Sequence, residues 1–365
     1  PTRSSEHLDQ HPGMRPTPVS TSTVPAAAGT GAGRQLRRCL AALALLTVLA
    51  VVAALCSIAF GSRIVGVEEI VGGLTGSRSD IGALVVAERL PRTAVALVAG
   101  AALGVSGALM QAVTRNPIAD PGILGVNIGA SLAILIGVAF LDISGAPQFL
   151  WFALIGATLT AVFVYAVGSL GPGGPTPVKL ALAGVATSAA LSCAISAVML
   201  PRAQGLDDYR FWQMGSLGRG NWSSLTTIAP FLAVATVLAL LVAGPLNSLA
   251  LGEEMAIGLG VNVTRTRLAA ASAGVLLCSA VTAVIGPIGF VGLMVPHTVR
   301  MLCGPDHRWL LPLSALCGAD LLTLSDVVGR VVSRPSAALP VAVVTAFIGA
   351  PILIMIVRGT KVREL

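Results

Sequence analysis

The side chains able to make or break bonds are few in this chain, and their placement argues against catalysis. The histidines are His7, His11, His297 and His307, two near the start and two beside apolar runs, without the spacing of a metal site. The lysines are Lys179 and Lys361, and neither follows the glycine-rich stretch of a phosphate loop, so the chain does not hydrolyse ATP by that route. Cys39, Cys56, Cys193, Cys278, Cys303 and Cys317 lie within or at the ends of apolar runs with no paired spacing, and read as small core residues rather than disulfides or metal ligands. No nucleophile can be paired with a base. Two carboxylates, Asp320 and Asp326, fall inside an apolar run, where charge is costly and invites a role such as proton coupling. Asp326 stands four residues before Arg330, the spacing of a helical ion pair, while Asp320 has no such partner.

A second kind of work needs no bond chemistry. Gly252-Glu253-Glu254-Met255-Ala256-Ile257-Gly258-Leu259-Gly260 is a semi-polar helical segment between two long apolar spans, followed by Arg265 and Arg267. It is too short and too polar to cross a bilayer, so it lies at the surface. The two arginines put that surface on the cytoplasmic side, because short cytoplasmic loops retain Lys and Arg. Met255, Ile257, Leu259 and Val261 leave apolar side chains that want a partner, which a solvated loop would not explain. The segment therefore predicts a docking site for a soluble cytoplasmic engine.

What positions these residues is a membrane fold. The chain is 55% hydrophobic and only 11% charged, with a mean hydropathy of +0.87. Its apolar runs are long and continuous, which predicts helices rather than the short alternating strands of a barrel. The net charge of +7 is spread over helix ends, so it reports topology rather than nucleic-acid binding.

Residues 1–35 are rich in Pro, Ser, Thr, Ala and Gly and read as a disordered cytoplasmic tail; residues 36–365 form the transmembrane domain. The first helix is expected from Cys39 to Phe60, and Ile64 to Glu88 reads as an outer loop. Arg89-Leu90-Pro91-Arg92 opens the second helix, whose Gly100, Gly104 and Gly107 make a groove for a neighbouring backbone. Pro117 and Pro121 break the chain before a third helix, about Ile123 to Leu141. Further spans follow at about Gln148 to Leu170, Val178 to Leu200, Leu225 to Ala243, Leu268 to Ile285, a Gly/Pro-broken piece ending near Val299, Leu310 to Val331, and Leu339 to Val357. A short surface helix is expected around Asp207 to Trp212. The sum is about ten helices with both termini inside. Arg89, Arg92 and Arg330 then fall on the outer side against the retention rule, either as anchors or as a rim that captures acidic side chains of an external partner.

Several of these stretches together carry a resemblance. Arg89-Leu90-Pro91-Arg92, the run Gly100-Ala101-Ala102-Leu103-Gly104-Val105-Ser106-Gly107-Ala108-Leu109-Met110-Gln111, and Asn116-Pro117-Ile118-Ala119-Asp120-Pro121-Gly122-Ile123-Leu124-Gly125 resemble the FecCD family of ABC-importer permeases, as do Gly286 to His297 and Leu339 to Pro351 further on. The likeness covers about residues 36 to 360. It implies an all-α integral membrane protein of the type II ABC-importer permease fold, without an ATPase site or cofactor of its own. It further implies a second permease subunit, two cytoplasmic ATPase subunits that bind ATP and Mg, an extracytoplasmic substrate-binding protein, and a ferric-siderophore, haem or cobalamin cargo, in the cytoplasmic membrane. By the same likeness Gly252, Glu253, Glu254, Ala256, Leu259 and Gly260 would be the ATPase-coupling segment, and Arg89, Arg92 and Arg330 would meet the binding protein. Thr187, Ser188, Ser192, Ser196, Met199 and Pro351 would line the translocation pathway. The rival class is a self-contained secondary transporter coupled through Asp320.

Overall fold

The computed structural model describes residues 28–361 except 62, 76–80, 118, 172–175, 203–205 and 334–337. Its helices are α1 (Ala28–Ala59), α2 (Val67–Leu74), α3 (Ile81–Thr114), α4 (Val126–Leu141), α5 (Ala146–Gly168), α6 (Pro177–Met199), α7 (Asp207–Gln213), α8 (Trp222–Ala250), α9 (Glu253–Gly258), α10 (Val263–Ile285), α11 (Val291–Cys303), α12 (His307–Val332) and α13 (Val341–Lys361). Among the described residues seven are long and apolar enough to cross a membrane, and α4, α11 and α13 are shorter apolar helices at the places of the other three expected spans.

Three boundaries differ from the sequence reading. Residues 1–27 of the expected tail lie outside the described residues, whereas 28–35 form the first turns of α1; adding residues to a helix already nucleated by its apolar run costs little. The stretch expected as an outer loop contains α2 and the first two turns of α3. Ala83, Val86, Arg89 and Thr93 are buried at helical spacing, so the helix begins at Ile81 and Pro91 lies inside it rather than at its start. At 34 residues α3 is about 51 Å long, well beyond the roughly 30 Å of a hydrocarbon core, so one end projects past it. The expected turn at Arg334-Pro335 lies outside the described residues.

The bundle is built around α3 and α10, whose apolar windows are 78% and 72% buried, against 11% for α1 and 17% for α6. Small residues permit this. A Cβ on Gly100 would strike the Gly318 carbonyl of α12, one on Gly104 the Ser314 carbonyl, and one on Gly107 the Gly292 carbonyl of α11. The groove expected on this helix is thus filled by two neighbouring backbones. On the other flank Gly129 of α4 and Gly156 of α5 meet in the same way. Gly104→Ala is expected to lower stability in detergent by about 1–3 kcal/mol, since a backbone carbonyl cannot rotate away as a side chain can. An unchanged thermal midpoint would show that α3 and α12 can separate without loss.

The segment between α3 and α4 does not run over the surface. Its single 3-10 turn, Pro121–Leu124, packs among α3, α4, α5, α6 and α10. Irregular backbone survives at such a place only where protein surrounds it. Asp120 caps the turn by accepting from the Gly122 N–H at 2.8 Å; burial pushes its carboxyl up and that hydrogen bond pulls it back down.

Candidate functional site

At one end of the bundle, α9 is a six-residue helix hung between Gly252 and Gly260, whose φ angles of 117° and 79° are open to glycine and strained for other residues. Only Ala256 is buried, against the ends of α8 and α10. Met255, Ile257 and Leu259 are 59%, 64% and 60% exposed, so the apolar side chains singled out in the sequence have no cover among the described residues. Glu253, at the first turn, is held by Arg267 and by Arg115 at 3.6 Å. Arg115 also donates to the Leu249 carbonyl at 3.3 Å. The loop that follows α3 is thereby joined to the head of α9, so displacement of this small helix bears directly on the central helix of the bundle. Glu254 is exposed beside it.

Arg89, Arg92 and Arg330, read from sequence as outer anchors or as a rim for a partner, are largely turned into the protein. Arg89 is buried and donates to the carbonyls of Ile58 (2.8 Å), Ala59 (3.2 Å) and Arg63 (2.8 Å). Arg330, also buried, donates to the carbonyls of Ser57 (2.9 Å) and Phe60 (3.1 Å) and to the Ser57 hydroxyl (2.8 Å). Two cations therefore satisfy the carbonyls left over at the C-terminus of α1, where the helix dipole favours positive charge. Arg92 binds Asp326 through both Nε (3.0 Å) and Nη2 (2.7 Å), and Asp326 accepts again from Arg330 Nε at 3.0 Å. The helical pair of Asp326 and Arg330 was visible in the sequence. Arg92 as its second partner, 234 residues away, was not. Of the three arginines only Arg92 keeps moderate exposure, with 19% of its side chain open.

The residues expected along the pathway are split between two flanks. Thr187, Ser188, Ser192, Ser196 and Met199 lie on α6, with Ser192 and Ser196 exposed and the others partly so. That helix packs on α4, α5 and the 121–124 turn. Pro351 is exposed on α13, which packs on α11 and α12. The two helices share no substantial packing within one chain. On α6 the exposed positions Ala189, Ser192 and Ser196 are small, whereas Leu182 and Val185 earlier on the same stripe are bulky and apolar.

Asp320 is buried in the middle of α12, and neither carboxyl oxygen has a hydrogen-bond partner among the described residues. No group of three or more His, Cys, Asp or Glu among the described residues is placed to hold a metal ion.

The described residues form a bundle of ten apolar helices with a short, exposed surface helix at one end, the architecture of a polytopic membrane protein. Residues 47–359 match the FecCD transport family, and the chain belongs to that family. It is 44% identical over 314 residues to the ferric enterobactin transport system permease protein of Escherichia coli, covering 86% of this chain and 93% of that one. It is 38% identical to the hemin transport system permease protein of Yersinia pestis (76% of this chain, 84% of the relative) and 38% identical to the cobalamin import system permease protein of Halobacterium salinarum (76% and 74%). Among solved structures, a metal-chelate type ABC transporter in an inward-facing conformation superposes with a TM-score of 0.73 at 30% identity, covering 90% of this chain and all of that one.

Proposed function

We propose that this chain is the permease subunit of an ABC importer that carries iron–siderophore complexes across the cytoplasmic membrane, driven by ATP hydrolysed on separate subunits. The observation that carries the reading is α9: a surface helix with three uncovered apolar side chains, tied through Glu253 and Arg115 to the end of α3. Such a helix is a handle for a cytoplasmic ATPase, and the chain has no phosphate loop of its own. The relatives named for ferric enterobactin, siderophore and Fe(3+)-citrate transport match at 44%, 41% and 44% identity, which favours iron–siderophore cargo.

In this reading ATP binding draws two α9 helices together, and the bundles tilt between inward-open and outward-open states. The passage, in this reading, lies between two permease subunits, lined by Ser188, Ser192 and Ser196 of α6 and the Pro351 region of α13, a placement supported by the lack of substantial packing between those helices within one chain. Both termini lie inside. An extracytoplasmic binding protein delivers cargo to the outer face, where Arg89 and Arg330 serve docking indirectly by fixing the end of α1, and Arg92 is the guanidinium nearest to solvent. Arg92→Glu should weaken binding-protein capture most at low salt.

Uptake of labelled ferric enterobactin, haem and cobalamin in a strain deleted for this chain tests the cargo. Loss of ferric-siderophore uptake alone is expected, and unchanged iron-chelate uptake would overturn it. The unpartnered carboxyl of Asp320 favours a second reading, proton-coupled transport. That reading requires uptake to collapse with the proton gradient and to survive loss of the ATPase. The importer requires the reverse.

A further inference from the structure

α8 holds its own last turn loosely. Pro245 stands inside the helix and lacks the N–H that would close on the carbonyl four residues back, which weakens the join between the body of α8 and residues 246–250. Leu251 and Gly252 are all that separates that turn from α9. What seats the turn is the side chain of Asn247, half-buried, which uses both ends of its amide on one neighbour. Its Nδ2 donates to Asp306 Oδ1 at 2.6 Å, while its Oδ1 accepts from the His307 backbone N–H at 2.8 Å and meets the His307 ring Nδ1 at 2.8 Å. An amide oxygen only accepts, so the ring hydrogen of His307 sits on Nδ1. Asp306 in turn caps α12: its Oδ1 also accepts from the Arg308 N–H at 3.0 Å, and its carbonyl accepts from the Leu310 N–H at 2.8 Å.

We propose that Asn247 is a positioning residue of the coupling path, a clasp through which displacement of α9 reaches the head of α12 as well as the end of α3; this role rests on α9 being the seat of the ATPase. Two ties leave the last turn of α8. The Leu249 carbonyl takes Arg115 from the loop after α3, and Asn247 takes the first residues of α12. Farther along, α3 and α12 pack backbone against backbone at Gly100 and Gly104. A pull on α9 therefore meets both helices at their ends and moves them as one body, where a single tie would prise one from the other. The amide at position 247 is matched to a carboxylate at 306, so Asn247→Asp sets two acids together where the present contact is a hydrogen bond to a charged group.

The test uses the complex drawn from native membranes on this chain, with its ATPase bound. ATPase retention and ATP hydrolysis are read beside cellular uptake of whichever of labelled ferric enterobactin, haem or cobalamin the parent takes up. Asn247→Asp is expected to keep the ATPase and its hydrolysis while uptake falls by about tenfold or more, the scale of one hydrogen bond to a charged group lost at a partly buried site. Asn247→Ala, which drops the clasp without opposing charges, should give the same split between retained hydrolysis and lost uptake. Combining Asn247→Asp with Asp306→Asn exchanges acid and amide across the contact and should return uptake to near the parent level, which a mere packing defect would not do. Parent-level uptake in both single variants, or no recovery in the double variant, would overturn the clasp while the bound ATPase leaves α9 as the docking helix. Loss of the ATPase together with uptake in both single variants would also overturn it, as the mark of a purely structural residue. A parent complex that holds no ATPase would overturn the reading of α9 and the clasp with it.

Discussion

Ile257→Asp combined with Leu259→Asp is expected to abolish uptake while leaving the subunit folded in the membrane. Both side chains are more than half exposed on α9, so their replacement removes no packing inside the chain, and the Ala256 anchor and the Glu253 link to Arg115 and Arg267 stay as they are. What the carboxylates remove is apolar surface available to a partner, at about 25 cal/mol per Å², and they add the cost of desolvating charge at an interface. A docking surface carried by so few side chains has little reserve. Co-purification of the ATPase with the variant is the direct measurement, and normal association together with normal uptake would remove α9 from the coupling path. The reversal Glu253→Arg with Glu254→Arg is a less selective probe. It sets a new cation against Arg115 and Arg267 and so disturbs the seat of α9 as well as its outer face.

The second large effect is expected at Asp326. This carboxylate is 2% exposed and is the shared acceptor of Arg92 and Arg330, the latter also buried. Asp326→Ala leaves two guanidinium groups facing each other without their counter-charge, a change worth about 3–5 kcal/mol where one member of a buried ion pair is lost. The damage should spread to α1, since Arg330 is also what closes the last turn of that helix through the Ser57 and Phe60 carbonyls. The expected result is low yield and a thermal midpoint in detergent well below that of the parent. Asp326→Asn keeps the shape and some of the hydrogen bonds, and should fall between the two. If Asp326→Ala were as stable as the parent, the outer network would be incidental to the fold.

The parts of this architecture that could be read from sequence are those set by local pattern. The ten apolar helices described follow from apolar run length, the α3 groove from glycines at positions 100, 104 and 107, and the pairing of Asp326 with Arg330 from helical spacing. The exposed face of α9 was legible for the same reason, because its alternation of glycine, carboxylate and apolar residues lies within nine positions. The rest depends on contacts between distant segments. An arginine on the outer side looks alike in sequence whether it anchors to headgroups, captures a partner or closes a helix end; Arg89 and Arg330 do the last, and only the approach of α1 to α3 and α12 reveals it. The meeting of Arg115 with Glu253, and of Asn247 with His307, had no signal in the chain for the same reason. The early start of α3 was hidden because two of its buried positions, Arg89 and Thr93, are polar, so their repeat with Ala83 and Val86 shows only in the packing.

The serine face of α6 and the Pro351 region of α13 belong to helices without substantial packing on one another. Should both border one passage, a second subunit must bring such faces together, and a detergent that splits the pair would stop transport without unfolding either half.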